Sequence, residues 1–201
     1  MSPYPIGYEA DFAEERSRLT TFFRYLMAIP LFLVGAIYGI AMVFTIPIAW
    51  FALLFTARYP EGLYGFNSGA LRYFTRMNAY TRLVTDVYPP FDTGEHPEYP
   101  VRVPIAPALE SYSRLKVFFR YLLGIPVILI NYALNLLANI CAFLSWFVIV
   151  FTGKQAKGLQ DAINLGTGYG TRAGGYFFLL SEDWPPFSVE EPPAAPAAPT
   201  A

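Results

Sequence analysis

Three asparagines stand four residues apart in this sequence, Asn131, Asn135 and Asn139, within a long stretch that has no charged residue. A spacing of four places their amides on one face of a helix. Amides in an apolar environment are costly unless they are hydrogen-bonded, and between helices each such bond contributes on the order of 1 kcal/mol. The stripe therefore predicts helix packing or, alternatively, a polar lining for the passage of ions, water or lipid headgroups.

Acid and base residues form no recognisable catalytic set. The carboxylates considered as acid–base groups are Asp86, Asp161, Glu182 and Asp183. His96 is the only histidine and Cys141 the only cysteine, which argues against a Ser-His-Asp triad and excludes a two-histidine or multi-cysteine metal site. Gly168, Gly170 and Ala173 fit a dinucleotide-binding pattern, but no strand precedes them. We therefore expect no catalytic residues, no metal, no cofactor and no enzymatic activity.

The composition indicates lipid as the solvent of the chain. Hydrophobic residues make up 55% and charged residues 14% of the sequence, and the mean hydropathy is +0.37. Two runs without any charged residue, Tyr25 to Ala57 and Tyr121 to Gly153, each contain 33 residues, more than a membrane-crossing helix needs. Acidic residues before the first run do not fit a signal peptide. The prediction is an all-α integral membrane protein.

The sequence is a tandem duplication. A shift of 96 positions aligns residues 17–91 with 113–187 without a gap, and 25 of the 75 pairs are identical. Conserved landmarks include arginine, proline and tryptophan, such as Trp50 with Trp146, which chance similarity between apolar stretches does not keep in register. We predict a membrane repeat at 1–92, a linker at 93–98, a second repeat at 99–188 and a disordered proline- and alanine-rich tail at 189–201.

Each uncharged run admits two geometries. Pro30 and Pro126 are placed to kink or restart a long helix that then crosses the membrane once, in which case the two repeats cross in opposite directions. The alternative is a re-entrant hairpin with its apex near Gly35 and Gly39, which leaves both ends of the run on the same side. Lysine and arginine flank both ends of both runs, which fits the hairpin because all flanks then share one side. However, 33 residues barely suffice for two passes, so the prediction is one spanning helix in each repeat.

Small and basic residues supply the remaining predictions. Gly35 and Gly39 align with Asn131 and Asn135, so the smooth face of the first membrane helix is expected to receive the asparagine stripe. Glycines every four residues at 166, 170 and 174 are expected to admit a close helix. Residues 66–84 read as an amphipathic interfacial helix. The arginines expected to contact anionic lipid headgroups are Arg24, Arg72, Arg76, Arg82 and Arg120.

Several motifs resemble a known bacterial family. These are RYLMAIP from Arg24, IAWFALLFTARYPEGLYGF from Ile48, RMNAY from Arg76 and TDVYPPF from Thr85. They are similar to the membrane-protein family catalogued as domain of unknown function 4389, and the second half of the chain matches the pattern less closely. The resemblance implies a membrane-embedded domain of bacteria and no particular activity.

The function predicted from these features is a non-enzymatic scaffold or accessory subunit. It is expected in the bacterial cytoplasmic membrane as a multi-pass protein that contacts anionic lipid headgroups, with partner membrane proteins or further copies of itself and without nucleic acid. The alternative is a small transporter or channel component with a polar path along Asn131, Asn135 and Asn139.

Overall fold

Helices dominate the architecture. The computed structural model describes residues 4–187, so the tail predicted at 189–201 lies outside the described residues. The helices are α1 (Arg18–Phe22), α2 (Arg24–Met27), α3 (Ile29–Thr56), α4 (Glu61–Thr81), α5 (Arg114–Phe118), α6 (Arg120–Leu123), α7 (Ile125–Thr152) and α8 (Lys157–Phe177). Two short strands, β1 (Glu9–Ala10) and β2 (Val101–Arg102), pair antiparallel. The mostly helical class is thus confirmed. The two paired strands form a small β-ribbon, called the ribbon below.

The two repeats have the same order of elements because the same residues begin and end them. Ser17 and Ser113 each accept a hydrogen bond from the backbone N–H three residues on, and so cap α1 and α5. The long helices end at residues in the left-handed region, Ala57 at φ 56° and Gly153 at φ 76°. The shared helix boundaries confirm the tandem repeat.

Each uncharged run contains one long continuous helix. The helices α3 and α7 are both 28 residues long, or about 42 Å at 1.5 Å per residue. Pro30 and Pro126 lie in their first turns, where the missing N–H costs nothing, so these prolines restart a helix. Gly35 and Gly39 lie inside α3, and the re-entrant hairpin with its apex there is wrong.

An approximate twofold axis relates the repeats. Glu9 pairs with Arg102 in the ribbon, and Ile6 pairs with Ile105. Under the 96-residue shift Ile6 corresponds to Arg102 and Glu9 to Ile105, so these are the same pair seen from each repeat. The axis therefore passes through the ribbon, perpendicular to its strands.

The start of each repeat is hydrogen-bonded to the end of the long helix of the other repeat. The amide of Arg16 donates to Gly153 O at 2.9 Å, and the amide of Tyr112 donates to Ala57 O at 2.8 Å. The indole of Trp50 donates to Val117 O at 3.0 Å and that of Trp146 to Thr21 O at 3.2 Å. As a result α1 packs on α7 and α5 packs on α3.

The helices α4 and α8 form the centre of the fold. They run antiparallel, with Thr75 against Thr171 and Leu71 against Gly174, while α3 packs along α4 and α7 packs along α8. A twofold axis that exchanges two antiparallel helices is perpendicular to both. The ribbon lies over one face of this pair, where the Ile6 side chain meets Gly175.

The long helices bury only a narrow stripe. The buried residues of α3 are Leu31, Gly35, Met42, Ala49 and Leu53, which at about 100° per residue lie within about 40° of one another. Large apolar side chains around the rest of its circumference are exposed, up to 75% for Phe55. Of the most apolar window of each helix, only 17% in α3 and 28% in α7 is buried. Both helices are long and apolar enough to cross a membrane.

Candidate functional site

A cavity of about 240 Å³ lies between α4, α7 and α8. Its lining combines apolar residues with polar side chains from all three helices. The polar lining residues are Thr75, Asn78, Arg82, Asn131, Asn135, Thr167 and Thr171. Two of them, Thr75 and Thr171, lie at the twofold axis. This cavity, called the amide-lined cavity below, is a polar site at the centre of the fold.

Arg82 is the charged group of this cavity. It follows the last residue of α4, and its Nε donates to Asn139 Oδ1 at 3.1 Å. One terminal nitrogen donates to Thr167 Oγ1 at 3.2 Å and the other to Asn135 Oδ1 at 2.6 Å. Burial lowers the pKa of the Arg82 guanidinium. Within residues 4–187 no salt bridge includes Arg82, so neutral groups alone surround its charge.

Hydrogen bonds within the asparagine stripe orient its side chains toward Arg82. Asn135 Nδ2 donates to the backbone oxygen of Asn131 at 2.8 Å and to Asn131 Oδ1 at 2.6 Å. These bonds orient Asn135 Oδ1 as the acceptor for Arg82. The stripe thus acts on an arginine from the other repeat: Asn135 and Asn139 accept from its guanidinium, and Asn131 orients Asn135.

Glycines of α8 make room for these contacts. A Cβ atom at Gly166 would lie 2.7 Å from Ala138 Cβ, and one at Gly170 would lie 3.4 Å from Asn131 Oδ1. A Cβ atom at Gly174 would lie 2.9 Å from Leu71 Cδ1. The prediction that these glycines admit a close helix is confirmed: α7 approaches at Gly166 and α4 at Gly174.

The predicted packing of the stripe against Gly35 and Gly39 is wrong. The closest atoms to a Cβ at Gly35 belong to Met77, Phe74 and Tyr73 of α4, and a Cβ at Gly39 would meet no atom of residues 4–187 within 4 Å. The physical reason is that each long helix packs on the second helix of its own repeat. The pair α4 and α8 therefore stands between the smooth face of α3 and the asparagine face of α7.

Three arginines predicted to contact headgroups are buried in protein. Arg24, Arg76 and Arg120 are only 1% to 2% exposed. Arg24 donates to the backbone oxygens of Tyr80 and Thr85 and forms a salt bridge with Asp86. Such burial leaves no surface for lipid, so for these three the assignment is wrong. The reason is that the chain folds back over them: carbonyl groups accept from Arg24 and Arg76, and the guanidinium of Arg120 lies over the Tyr176 ring.

Protein covers the arginine face of α4 as well. Arg76 donates to Asp92 O at 2.6 Å and to Gly94 O at 3.2 Å, and Arg72 forms a salt bridge with Glu95. Tyr73, about one turn from Arg76 on a neighbouring part of the helix surface, is fully buried. This environment does not fit the predicted interfacial helix with an arginine face toward headgroups.

A second cavity, of about 310 Å³, lies on the ribbon side of α4. Its charged lining residues are Glu9, Arg72, Arg76, Glu95, His96 and Arg102. Acids offset the bases here, since Arg102 bonds Glu9 at 3.1 Å and Asp11 at 2.8 Å. Among the described residues no group of three or more potential metal ligands occurs. Arg72 and Arg102 in this cavity are thus each paired with a carboxylate.

The two cavities lie on opposite faces of α4. Arg72 and Arg76 line the ribbon-side cavity, while Phe74 and Asn78 line the amide-lined cavity. Two residues correspond to a rotation of about 200° around a helix. One face of α4 is therefore charged and covered by the ribbon, and the other bears the amide-lined cavity.

The asparagines were recognisable from their spacing in the sequence, but their contact with Arg82 was not predicted. Arg82 was expected at a lipid headgroup, whereas it donates to Asn135 and Asn139. A signal was present in the aligned repeats, because the position of Arg82 is Phe178 in the second copy. A charge present in only one repeat, beside amides present only in the other, indicates a pair.

Comparison with known proteins places the chain in a family. A search of curated proteins and a search of solved structures each gave no match. The family model described as "Domain of unknown function (DUF4389)" matches residues 18–92 and again residues 114–188. These two ranges correspond to the two structural repeats and cover most of the chain, so the protein belongs to the DUF4389 family and carries two tandem copies of its domain.

Proposed function

We propose that the protein is a non-enzymatic membrane scaffold whose two long helices lie in the hydrocarbon of a bilayer and whose polar groups contact anionic lipids. The single observation that carries this proposal is the exposure of apolar side chains around most of α3 and α7, as at Ile37, Phe55 and Phe151. In water such a surface costs about 25 cal/mol per Å² of apolar area. In acyl chains that cost disappears.

The twofold relation bears on how these helices sit in the bilayer. The axis is perpendicular to α4 and α8, along which α3 and α7 pack. If α3 and α7 crossed the bilayer, the axis would lie in the membrane plane and the ribbon would stand at mid-depth. Exposed carboxylates of Glu9 and Asp11 would then face hydrocarbon, at roughly 2.5–3.5 kcal/mol for a central aspartate.

An axis along the membrane normal avoids that cost. Equivalent residues then lie at equal depth, so Ala57 is level with Gly153. Because Gly153 accepts the hydrogen bond of Arg16, Arg16 and Ala57 are also level. The two ends of the segment from Arg16 to Ala57, which contains α1, α2 and α3, are therefore on the same side, as are the two ends of the equivalent segment that contains α7. This favours long helices lying along one leaflet, with the ribbon in water, over the multi-pass topology predicted from the sequence.

Basic residues support the same arrangement. Arg18 and Arg58 flank the first apolar helix, and Arg114 and Lys154 flank the second. In a one-sided protein all four lie at a single headgroup layer, where each contributes about 1 kcal/mol of attraction to an anionic surface. In a spanning protein, the basic residues at the two ends of each helix would lie at opposite membrane surfaces.

Single-cysteine labelling separates the two topologies. In a Cys141→Ser background, cysteines replace Ala13 or Glu61 on either side of α3, and Glu110 or Lys157 on either side of α7. A membrane-impermeant maleimide is applied to sealed vesicles and then again after detergent. We expect all four sites to react from one side. Reaction of Ala13→Cys and Glu61→Cys from opposite sides would show that α3 spans.

Membrane association itself needs a separate measurement. Purified protein mixed with phosphatidylcholine vesicles is expected to float with them and to resist extraction by alkaline carbonate. Protein that stays monodisperse in buffer without detergent and does not float would overturn the proposal.

A transporter or channel component is the second candidate, and the amide-lined cavity beside Asn131 and Asn135 is the observation that favours it. It predicts flux of chloride or phosphate into liposomes that Asn135→Leu abolishes while assembly is retained. Equal flux in the two proteins would eliminate this candidate.

A further inference from the structure

The amide-lined cavity contains polar residues that the fold itself does not require. In the equivalent place of the other repeat, Arg82 is replaced by Phe178, and the three asparagines by Gly35, Gly39 and Val43. That side of the molecule packs the same helices without the amides and without the guanidinium. Both halves adopt one architecture, so the fold as such forms without this polar set, although α7 packs more closely on α8 than α3 does on α4.

The charge of Arg82 is solvated by protein dipoles but not neutralised. An arginine has five N–H donors, and three of them bond Asn139, Thr167 and Asn135. Two donors on the terminal nitrogens remain for another acceptor. In the part of the chain that the structure describes, no carboxylate forms a salt bridge with Arg82, so an anion that enters the cavity meets a positive charge that has no acidic partner there.

A further donor belongs to a residue that lines the same cavity. Asn131 lines the cavity, and its Oδ1 accepts from Asn135. Its Nδ2 donates to no protein group within residues 4–187. Together with the two remaining donors of Arg82 it supplies N–H groups and no negative charge. This is the donor set that a phosphate oxygen accepts from, and an arginine fork suits phosphate by its planar geometry.

The position of the cavity relates it to lipid. It lies on the face of α4 opposite the ribbon, and Asn78 at its edge is exposed. If the ribbon faces water, as the proposed function holds, the cavity faces the bilayer between the two long helices. A headgroup phosphate is then within the same layer as Arg82.

We propose that this cavity binds one phosphate group through Arg82 and Asn131, and that an anionic phospholipid carries it. The inference rests on the proposed function for the source of the phosphate but not for the binding chemistry. A lipid phosphodiester and free inorganic phosphate offer the same oxygens, and the experiment has an arm for each.

In the first arm the protein is reconstituted into phosphatidylcholine nanodiscs with a small fraction of phosphatidylglycerol, and retained lipid is counted by native mass spectrometry. Wild type is expected to keep one phosphatidylglycerol per chain. Arg82→Gln is expected to lose affinity by about tenfold or more, as for a charge-assisted bond. The matched control, Arg72→Gln on the opposite face of α4, is expected to bind as wild type does.

In the second arm inorganic phosphate is titrated into detergent-solubilised protein by calorimetry. Weak or absent binding supports a lipid source, whereas phosphate binding that depends on Arg82 with no lipid retention transfers the site to free phosphate and overturns the lipid assignment. Equal binding by wild type and Arg82→Gln in both arms overturns the site. Should Arg82→Gln not fold, Asn131→Ala, which keeps every bond of Arg82 to a side chain, is expected to weaken binding about threefold or more, and unchanged binding overturns the site.

The two proposals fail separately. A protein that does not associate with phosphatidylcholine vesicles refutes the membrane scaffold, and the calorimetric arm still tests the cavity. A protein that inserts normally but shows no dependence on Arg82 refutes the cavity alone.

Discussion

The hydroxyl oxygens of Thr75 and Thr171 lie 3.0 Å apart, and the two threonines occupy the same position of the two repeats. The twofold axis therefore passes between them. Further along this axis, on the ribbon side, one strand from each repeat completes the pairing. The protein is in effect a dimer fused into one chain, and neither repeat can close its ribbon or cover its long helix alone.

The threonine pair predicts unequal effects of two similar substitutions. Thr171 also donates to Thr167 O at 2.9 Å, so in Thr75→Val its hydroxyl keeps a partner. In Thr171→Val the buried hydroxyl of Thr75 loses its partner, at about 1–3 kcal/mol. Unfolding in detergent should therefore be easier for Thr171→Val, and the double variant should recover part of the loss. Equal losses for the two single variants would contradict this assignment of the bonds.

Arg24 and Arg120 offer a second matched pair. Arg24 bonds two backbone oxygens and Asp86, and its guanidinium lies 4.4 Å from the centre of the Tyr80 ring. Arg120 makes the corresponding contact with Tyr176 at 4.1 Å, but none of its guanidinium nitrogens has a hydrogen-bond partner within residues 4–187. The two arginines therefore occupy equivalent positions, but only Arg24 is hydrogen-bonded within the part of the chain that the structure describes.

Replacement by methionine is expected to change the free energy of unfolding differently at the two positions. Arg24→Met leaves Asp86 and two carbonyl groups without their donor, and breaking a buried pair costs about 3–5 kcal/mol. Arg120→Met removes an uncompensated buried charge and should be neutral or stabilising apart from the ring contact, at about 0.5–2 kcal/mol. Chemical unfolding monitored by tryptophan fluorescence measures both. Similar losses would mean that Arg120 has partners equivalent to those of Arg24.

The sequence predicted the repeat, the long apolar helices and the close approach at Gly166, because these depend on local spacing and composition. It did not predict that Asn135 faces Arg82, since that contact depends on which helices become neighbours. Periodicity placed Arg76 on a polar face correctly. Whether that face meets lipid or the loop at Asp92 is decided by the chain returning over it, and no local pattern contains that information.

Gly166 predicts a strong dependence on side-chain size. A Cβ there would lie 2.7 Å from Ala138 Cβ and closer still to the backbone oxygen of Leu134, so Gly166→Ala must push α8 from α7 and should cost about 1–3 kcal/mol. Gly158→Ala in the same helix is the control, because a Cβ at Gly158 meets nothing within 4 Å. That variant should gain up to about 1 kcal/mol from helix propensity. Melting temperatures shifted in the same direction would contradict the close packing.

The loop at residues 92–98 predicts a dependence on pH. Hydrogen bonds with Asp92 at 2.8 Å and with Glu98 at 3.0 Å raise the pKa of His96. A raised pKa means that protonated His96 stabilises the loop fully below its ordinary pKa of about 6.5, and that this contribution is lost as the pH rises through the folded pKa. The bond to His96 also lowers the pKa of Asp92, so its contribution is lost only in acid.

Hydrogen exchange at the amide of Gly94, which donates to Asp92 Oδ1 at 2.7 Å, reports on this loop. After correction for intrinsic exchange, its protection should fall as the pH rises from about 6.5, because Asp92 loses its cationic partner. The same loop caps Arg76 through the backbone oxygen of Asp92, so the ribbon-side cavity should open with it. In His96→Gln the protection should stay constant across that range. A rise of protection with pH in the wild type would reverse the sign of the linkage and show that His96 is bound as the neutral form.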